Sequence, residues 1–463
     1  MVKPDRSNAS IRDWLRLVYA GETAGGNDLA KPLLAAQWLE DDPALLGTDP
    51  YLACAAGDIA LLRRTLSEDP TWVNRAGGPL NLPPLLAITH SSLGQLPDWQ
   101  DQMLACAKLL LNAGANPDQS IGSRWPPASV ESPAAEHRLT ALYGAAGQNL
   151  NLAMTRLLLN AGADADDGEC LYHSLGNPAI TRLLLEAGVP IAPSNALYHA
   201  FDIADPTPLM VLLQFGGDAN QPPLGAPTSH FGTPLLWAIH RRVSMAHYEA
   251  LLSAGADTRA RTPGGISSVQ LARRYGLPEV ARLLSRWGAP TDAGSVQEQF
   301  LGACGCAVES AARELLRANP DLLRSLPATE LALLPELIEA GAQEAGKLMV
   351  LLGWPLDAHG GDWEATALNI AVFQGDAGLA RFLLEHGASW TETHGFGSNV
   401  CGTLSWACLN RPKPEGDWTA CARVLLEYGM PHGQRDPERP GGLLIDGRYM
   451  SFSDEVSAVL AVE

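Results

Sequence analysis

One short phrase recurs along the chain. It is a leucine pair, two further residues, then glycine and a turn, as in LLLNAGANPD ending at Asp118, LLLNAGADAD ending at Asp166, LLSAGADTR ending at Arg259 and LLEHGASWT ending at Thr391. Its glycines are Gly114, Gly162, Gly188, Gly216, Gly255, Gly288, Gly353, Gly387 and Gly429. They are spaced by 48, 26, 28, 39, 33, 65, 34 and 42 residues, a period near 33 with one double step and several insertions. A chain that repeats at this interval does not close one large core. Each unit is a supersecondary element whose apolar face is covered only by its neighbours.

A second phrase precedes the first: TALYGAAGQN from Thr140, TPLLWAIHRR from Thr233, TALNIAVFQG from Thr366 and GTLSWACLNR from Gly402. From its first residue to the following repeat glycine the distance is 22, 22, 21 and 27 residues, the last lengthened by RPKPEGDW. Two amphipathic helices and a tight turn fit that span. Ala145, Ala238, Ala371 and Ala407 stand where inner helices approach closely, the leucines face inward on the outer helix, and the glycine takes the left-handed conformation that ends it.

Together the two phrases resemble the ankyrin repeat, T-P-L-H-x-A-A-x-x-G, then x-L-L, then G-A-D, over roughly residues 48–432. The histidine of that pattern is replaced by Tyr143, Leu236, Asn369 and Ser405, and residues 293–352 depart from it most. The resemblance implies an all-α solenoid of about eleven helix-turn-helix units with finger turns and a concave face. Residues 1–47 and 433–463 read as caps on its two ends, the second with a short helix starting after Ser453.

Acidic residues outnumber basic ones 51 to 32, a formal charge of −19, which argues against nucleic acid and anionic membranes as partners. No apolar run is long enough to span a bilayer and the N-terminus has no secretory pattern, so a cytoplasmic, monomeric protein is expected. The eight cysteines read as reduced packing residues. There is no Walker, nucleophile-elbow, zincin or dinucleotide-binding motif, and no cofactor or metal is expected.

Insertions mark the binding surface of a stacked repeat. Residues 119–138, 221–232 and 393–402 lengthen fingers and carry Trp125, His230, Phe231 and Phe396, and Trp363 lies on another finger. Aligned inner helices place His90, Asp202, His240, Arg274, Phe373 and Leu409 at one late position, which in the ankyrin family faces the groove, with Arg241 following His240. The expected contacts are Trp125, His230, Phe231, His240, Arg241, Trp363, Phe373 and Phe396, and the expected function is non-catalytic binding of a basic partner protein, as an inhibitor, immunity protein or adaptor. The alternative is a small-molecule binder or unorthodox enzyme in a polar mid-groove around Asp202, His240 and Arg274, Asp202 orienting His240 as a base. A third option is an effector delivered into a host cell. Tyr172, His173, Tyr198 and His199, aligned in successive repeats, read as inter-repeat packing, with a patch on which a planar ligand or an Arg stacks as the alternative.

Overall fold

The structure, a computed structural model, describes residues 8–19, 30–121, 139–291, 293–435 and 442–461. The chain divides into two compact units, Met1–Leu224 and Gly225–Glu463. Among the described residues the first unit holds five inner–outer helix pairs and the second six. In the first, for example, Pro84–Thr89 pairs with Pro97–Asn112, and Cys170–His173 with Pro178–Glu186. In the second, Pro234–Arg241 pairs with Met245–Ser253, Ser268–Arg274 with Pro278–Arg286, Val296–Gly305 with Glu309–Ala318, Leu333–Glu339 with Gln343–Leu351, Ala367–Phe373 with Ala377–Glu385, and Val400–Asn410 with Trp418–Glu427.

Each recurrent residue has a structural task. Thr140, Thr233 and Thr366 are N-caps, their hydroxyls accepting from the amides of Tyr143, Leu236 and Asn369 and so satisfying donors that have no partner inside the helix. Ala145, Ala238, Ala371 and Ala407 are fully buried. All nine repeat glycines have φ between 88° and 100°, and the amide of the residue after each bonds back to the carbonyl four residues before the glycine, as from Ala115 to Leu110 at 2.9 Å and Ala388 to Leu383 at 3.0 Å. This is the Schellman closure that stops a helix. The residue supplying that carbonyl is fully buried in every case, Leu158, Leu251 and Met349 among them. Turn and core therefore share one anchor.

The outer helix Glu309–Ala318 has no such glycine and stops at Asn319, which accounts for the double step in the spacing. Here the neighbouring inner helices approach closely: a Cβ on Gly305 would lie 1.9 Å from the carbonyl oxygen of Arg274.

At the N-terminal end Asn8–Val18 packs on Ala30–Asp41, with Trp14 donating to the carbonyl of Ala35 at 3.0 Å and the Tyr19 hydroxyl to that of Ala87 at 2.7 Å. At the other end, Ser453 caps Asp454–Leu460. It is preceded by an antiparallel sheet of Gln434–Arg435, Gly442–Ile445 and Arg448–Ser451, absent from the sequence reading. Its hairpin turns on Asp446 and Gly447, at φ 48° and 72°, and that Asp-Gly pair is the signal the reading passed over. All eight cysteines are free thiols, seven of them buried. No described helix is long and apolar enough to cross a membrane.

Candidate functional site

The second unit contains a cleft of about 1360 Å³ between inner helices and fingers. One wall is aromatic. The Phe231 ring stacks on His240 at 4.2 Å, and Tyr275 meets the same imidazole edge-on at 5.2 Å. Tyr275 donates its hydroxyl proton to Glu336 at 2.5 Å, so toward His240 Nδ1, 3.0 Å away, it can only accept. While Glu336 is ionised, that count places the imidazole proton on Nδ1 and leaves a lone pair on Nε2, which has no hydrogen-bond partner among the described residues. Burial, aided by the Arg241 charge, lowers the His240 pKa to about 3, so the ring is neutral at physiological pH. Burial raises Glu336 to about 7; Glu339 and Asp362 push it the same way, while the Tyr275 hydrogen bond and the Arg274 charge oppose them.

Arg274 also lines the cleft and is already paired with carboxylates. It is 6% exposed, bonds Glu298 through Nε at 2.9 Å and again through Nη2, and reaches Glu330 at 3.1 Å. Glu330 in turn accepts from Gln297. The remaining acidic lining is Glu336, Asp357, Asp362 and Glu364, of which Asp362 lies 3.6 Å from Arg241.

Beside this wall an aromatic strip crosses two successive pairs. Trp363, which donates to Glu339 at 3.1 Å, touches Phe373 at 5.3 Å and His394 at 5.1 Å between centroids; Phe373 stacks on Trp406 at 5.5 Å, and His394 meets Phe396 at 5.8 Å. Phe396 is 80% exposed, Trp406 and Leu409 each 52%. Phe396 and Trp406 thus stand at the two ends of a ring chain that leaves large apolar side chains open to solvent.

No protein-family model matches the chain. No curated protein matches it. Among solved structures it is similar to the human ASB11 ankyrin repeat domain, with 21% identity and a TM-score of 0.38 over 52% of this chain and 99% of that one. The assignment rests instead on the repeated unit itself, a threonine-capped inner helix and an outer helix closed by a left-handed glycine. The fold is ankyrin-like.

In the ankyrin-like frame the groove position lies seven residues after the inner-helix cap. Phe373 stands there after Thr366, His240 after Thr233 and Arg274 after Ser267. The last inner helix is capped by Asn399, not by the start of GTLSWACLNR, so its groove residue is Trp406. Leu409, aligned there from the sequence, is three residues too late, and Trp406 was missed because the Thr signal is replaced by Asn. The stack of Phe373 on Trp406 follows from the corrected register.

The structure brings together Phe231, His240 and Arg274 around the cleft, with His230 at its rim and Arg241 beside Asp362, and Trp363, Phe373 and Phe396 along the strip. Trp125 lies outside the described residues. Two expectations are corrected. Asp202 belongs to the first unit, where it pairs with His199 Nδ1 at 3.0 Å, and His240 belongs to the second, where its Nδ1 meets the Tyr275 hydroxyl at 3.0 Å. His90 does not face the groove. It is 2% exposed, packed where a Cβ on Gly144 would be 2.6 Å from its Nδ1, and burial lowers its pKa to about 4. Of the tyrosine–histidine patch, Tyr172 stacks on His199 at 4.1 Å and His173 meets Tyr143 edge-on at 5.3 Å, while Tyr198 is buried, donating to the Gln221 carbonyl. Tyr275 and Glu336 escaped the sequence reading; Glu336 lies in the stretch where the repeat pattern is weakest.

Proposed function

We propose that this protein is a non-catalytic binding module that holds a basic partner protein on the aromatic strip and the neighbouring acidic cleft of its second unit, as an inhibitor, immunity protein or adaptor does. The observation that carries the reading is the strip: five rings from Trp363, Phe373, His394, Phe396 and Trp406 in unbroken contact, with Phe396 and Trp406 turned to solvent. Large rigid rings lose little conformational freedom when covered, which is why such residues dominate binding energy. The excess of 19 negative charges supports a partner of opposite sign.

The test is quantitative affinity capture from the extract of the source cell. Phe396→Ala and Trp406→Ala should each weaken retention of the partner by about 1–4 kcal/mol, without changing the helical circular dichroism. Unaltered retention in both variants would place the interface elsewhere.

A further inference from the structure

The cleft and its fixed imidazole carry an inference about what the partner presents. This inference rests on the protein-binding reading. His240 is held between Phe231 at 4.2 Å and Tyr275 at 5.2 Å, so its free Nε2 lone pair is a stationary hydrogen-bond acceptor, not a side chain that swings to find a donor. Around it the wall offers flat rings and further acceptors, the Glu336 and Asp362 carboxylates. Arg274 is already neutralised by Glu298 and Glu330, and Arg241 lies 3.6 Å from Asp362, which leaves Glu336 without a basic partner among the described residues. Asp357 and Glu364 have no ion pair among the described residues. A planar cation with several donors in a rigid fork satisfies such a wall better than a compact ammonium does, because it stacks on rings and bonds more than one acceptor at once. The cleft volume of about 1360 Å³ exceeds the ~300–1,000 Å³ usual for small-ligand pockets, which favours a chain segment over a free metabolite.

We propose that the cleft receives an arginine side chain of the partner protein, its guanidinium donating to His240 Nε2 and to the Glu336 carboxylate.

The hydrogen-bond chain gives this site a pH response. When Glu336 takes up a proton, the carboxyl donates to Tyr275, the Tyr275 hydroxyl turns to donate to Nδ1, and the imidazole proton resides on Nε2. One added proton thus removes a negative charge from the cleft and converts its central acceptor into a donor facing the cation. The groups acting on Glu336 are Tyr275 and Arg274 across the groove, Glu339 on its own helix and Asp362 on the finger. With Glu336 near 7, a guanidinium should bind more tightly above that pH and less tightly below it.

The experiment follows the His240 ring nitrogens by NMR in the full chain with histidine-selective 15N labelling. The probes are acetyl-arginine amide, its neutral isostere acetyl-citrulline amide, and free L-arginine. Acetyl-arginine amide should shift the His240 resonances and bind about tenfold tighter at about pH 8 than at about pH 6, and the citrulline probe should not compete. Glu336→Gln should weaken binding and abolish the pH step. Equal binding of both capped probes, or an unchanged pH step in Glu336→Gln, overturns the proposal, as does wild-type protein that binds no arginine probe. Free L-arginine binding tenfold or more above the capped form overturns the assignment to a partner's chain in favour of a free amino acid. None of these outcomes bears on the Phe396 and Trp406 capture test, so the two readings fail separately.

Discussion

His90 and His240 illustrate how one residue type at one position of a repeat acquires different duties. Both are kept neutral by burial, but His90 leaves its Nε2 without a partner inside the first unit, whereas His240 presents its Nε2 to a cleft. The difference lies in the next repeat. Gly144 lets the following helix close over His90, while Tyr275 props His240 from the side. These shifts make stability depend on pH. Between about pH 4 and 6.5 the unfolded chain protonates both histidines and the native chain does not, so stability falls as pH falls. Glu336 acts in the opposite sense, because from about 7 down to its ordinary value of 4.5 only the folded state holds its proton. Smaller shifts at His394 and Glu339 oppose each other. Two histidines against one glutamate leave a net loss on the order of 2 kcal/mol between about pH 6.5 and pH 5. Urea titrations at the two pH values should therefore show a lower midpoint at pH 5. An equal or higher midpoint there would mean that the histidines are solvated.

At the scale of the element, two kinds of glycine hold the array together for unrelated reasons. Gly387, at φ 100°, has nothing within 4 Å of an added Cβ, so alanine there meets only the backbone penalty of the left-handed region, about 1–2 kcal/mol. Gly305 has an ordinary helical backbone, yet its Cβ would fall 1.9 Å from the Arg274 carbonyl oxygen, a backbone atom that moves only if the helix moves. Gly305→Ala should consequently cost about 3 kcal/mol or more, and Gly387→Ala less, in equilibrium unfolding. Because Arg274 sits at that contact, Gly305→Ala should also disturb its bonds to Glu298 and Glu330. The reverse order of the two costs would contradict the close packing of these inner helices. The repeat glycines were legible from spacing alone, since a fixed left-handed turn demands the same residue each time. The role of Gly305 was not, because it depends on which backbone lies opposite.

Across the whole molecule, charge and apolar surface divide the work of recognition. Under the proposed function, the −19 charge would attract a basic partner from a distance and the rings would hold it once docked. Partner capture should accordingly weaken as salt is raised from about 50 to 500 mM, since the Debye length shrinks to a few ångströms. Capture that ignores salt would leave the aromatic strip as the sole determinant and remove the case for a basic partner. What the amino-acid sequence determined by itself was the repeat: its period, the threonine caps, the helix-ending glycines and the buried leucines. Each of these answers a local demand, an unpaired amide or a carbonyl to be closed, that recurs wherever the same helix pair is built. Only the tertiary structure decided which side chains share a site. Trp406 joined Phe373 through a cap shifted by three residues, and His240 found Tyr275, itself bonded to Glu336. The terminal sheet likewise escaped a reading tuned to helices. Contacts between repeats depend on the register of one helix against the next, and a single substituted cap residue or one close backbone approach is enough to reset it.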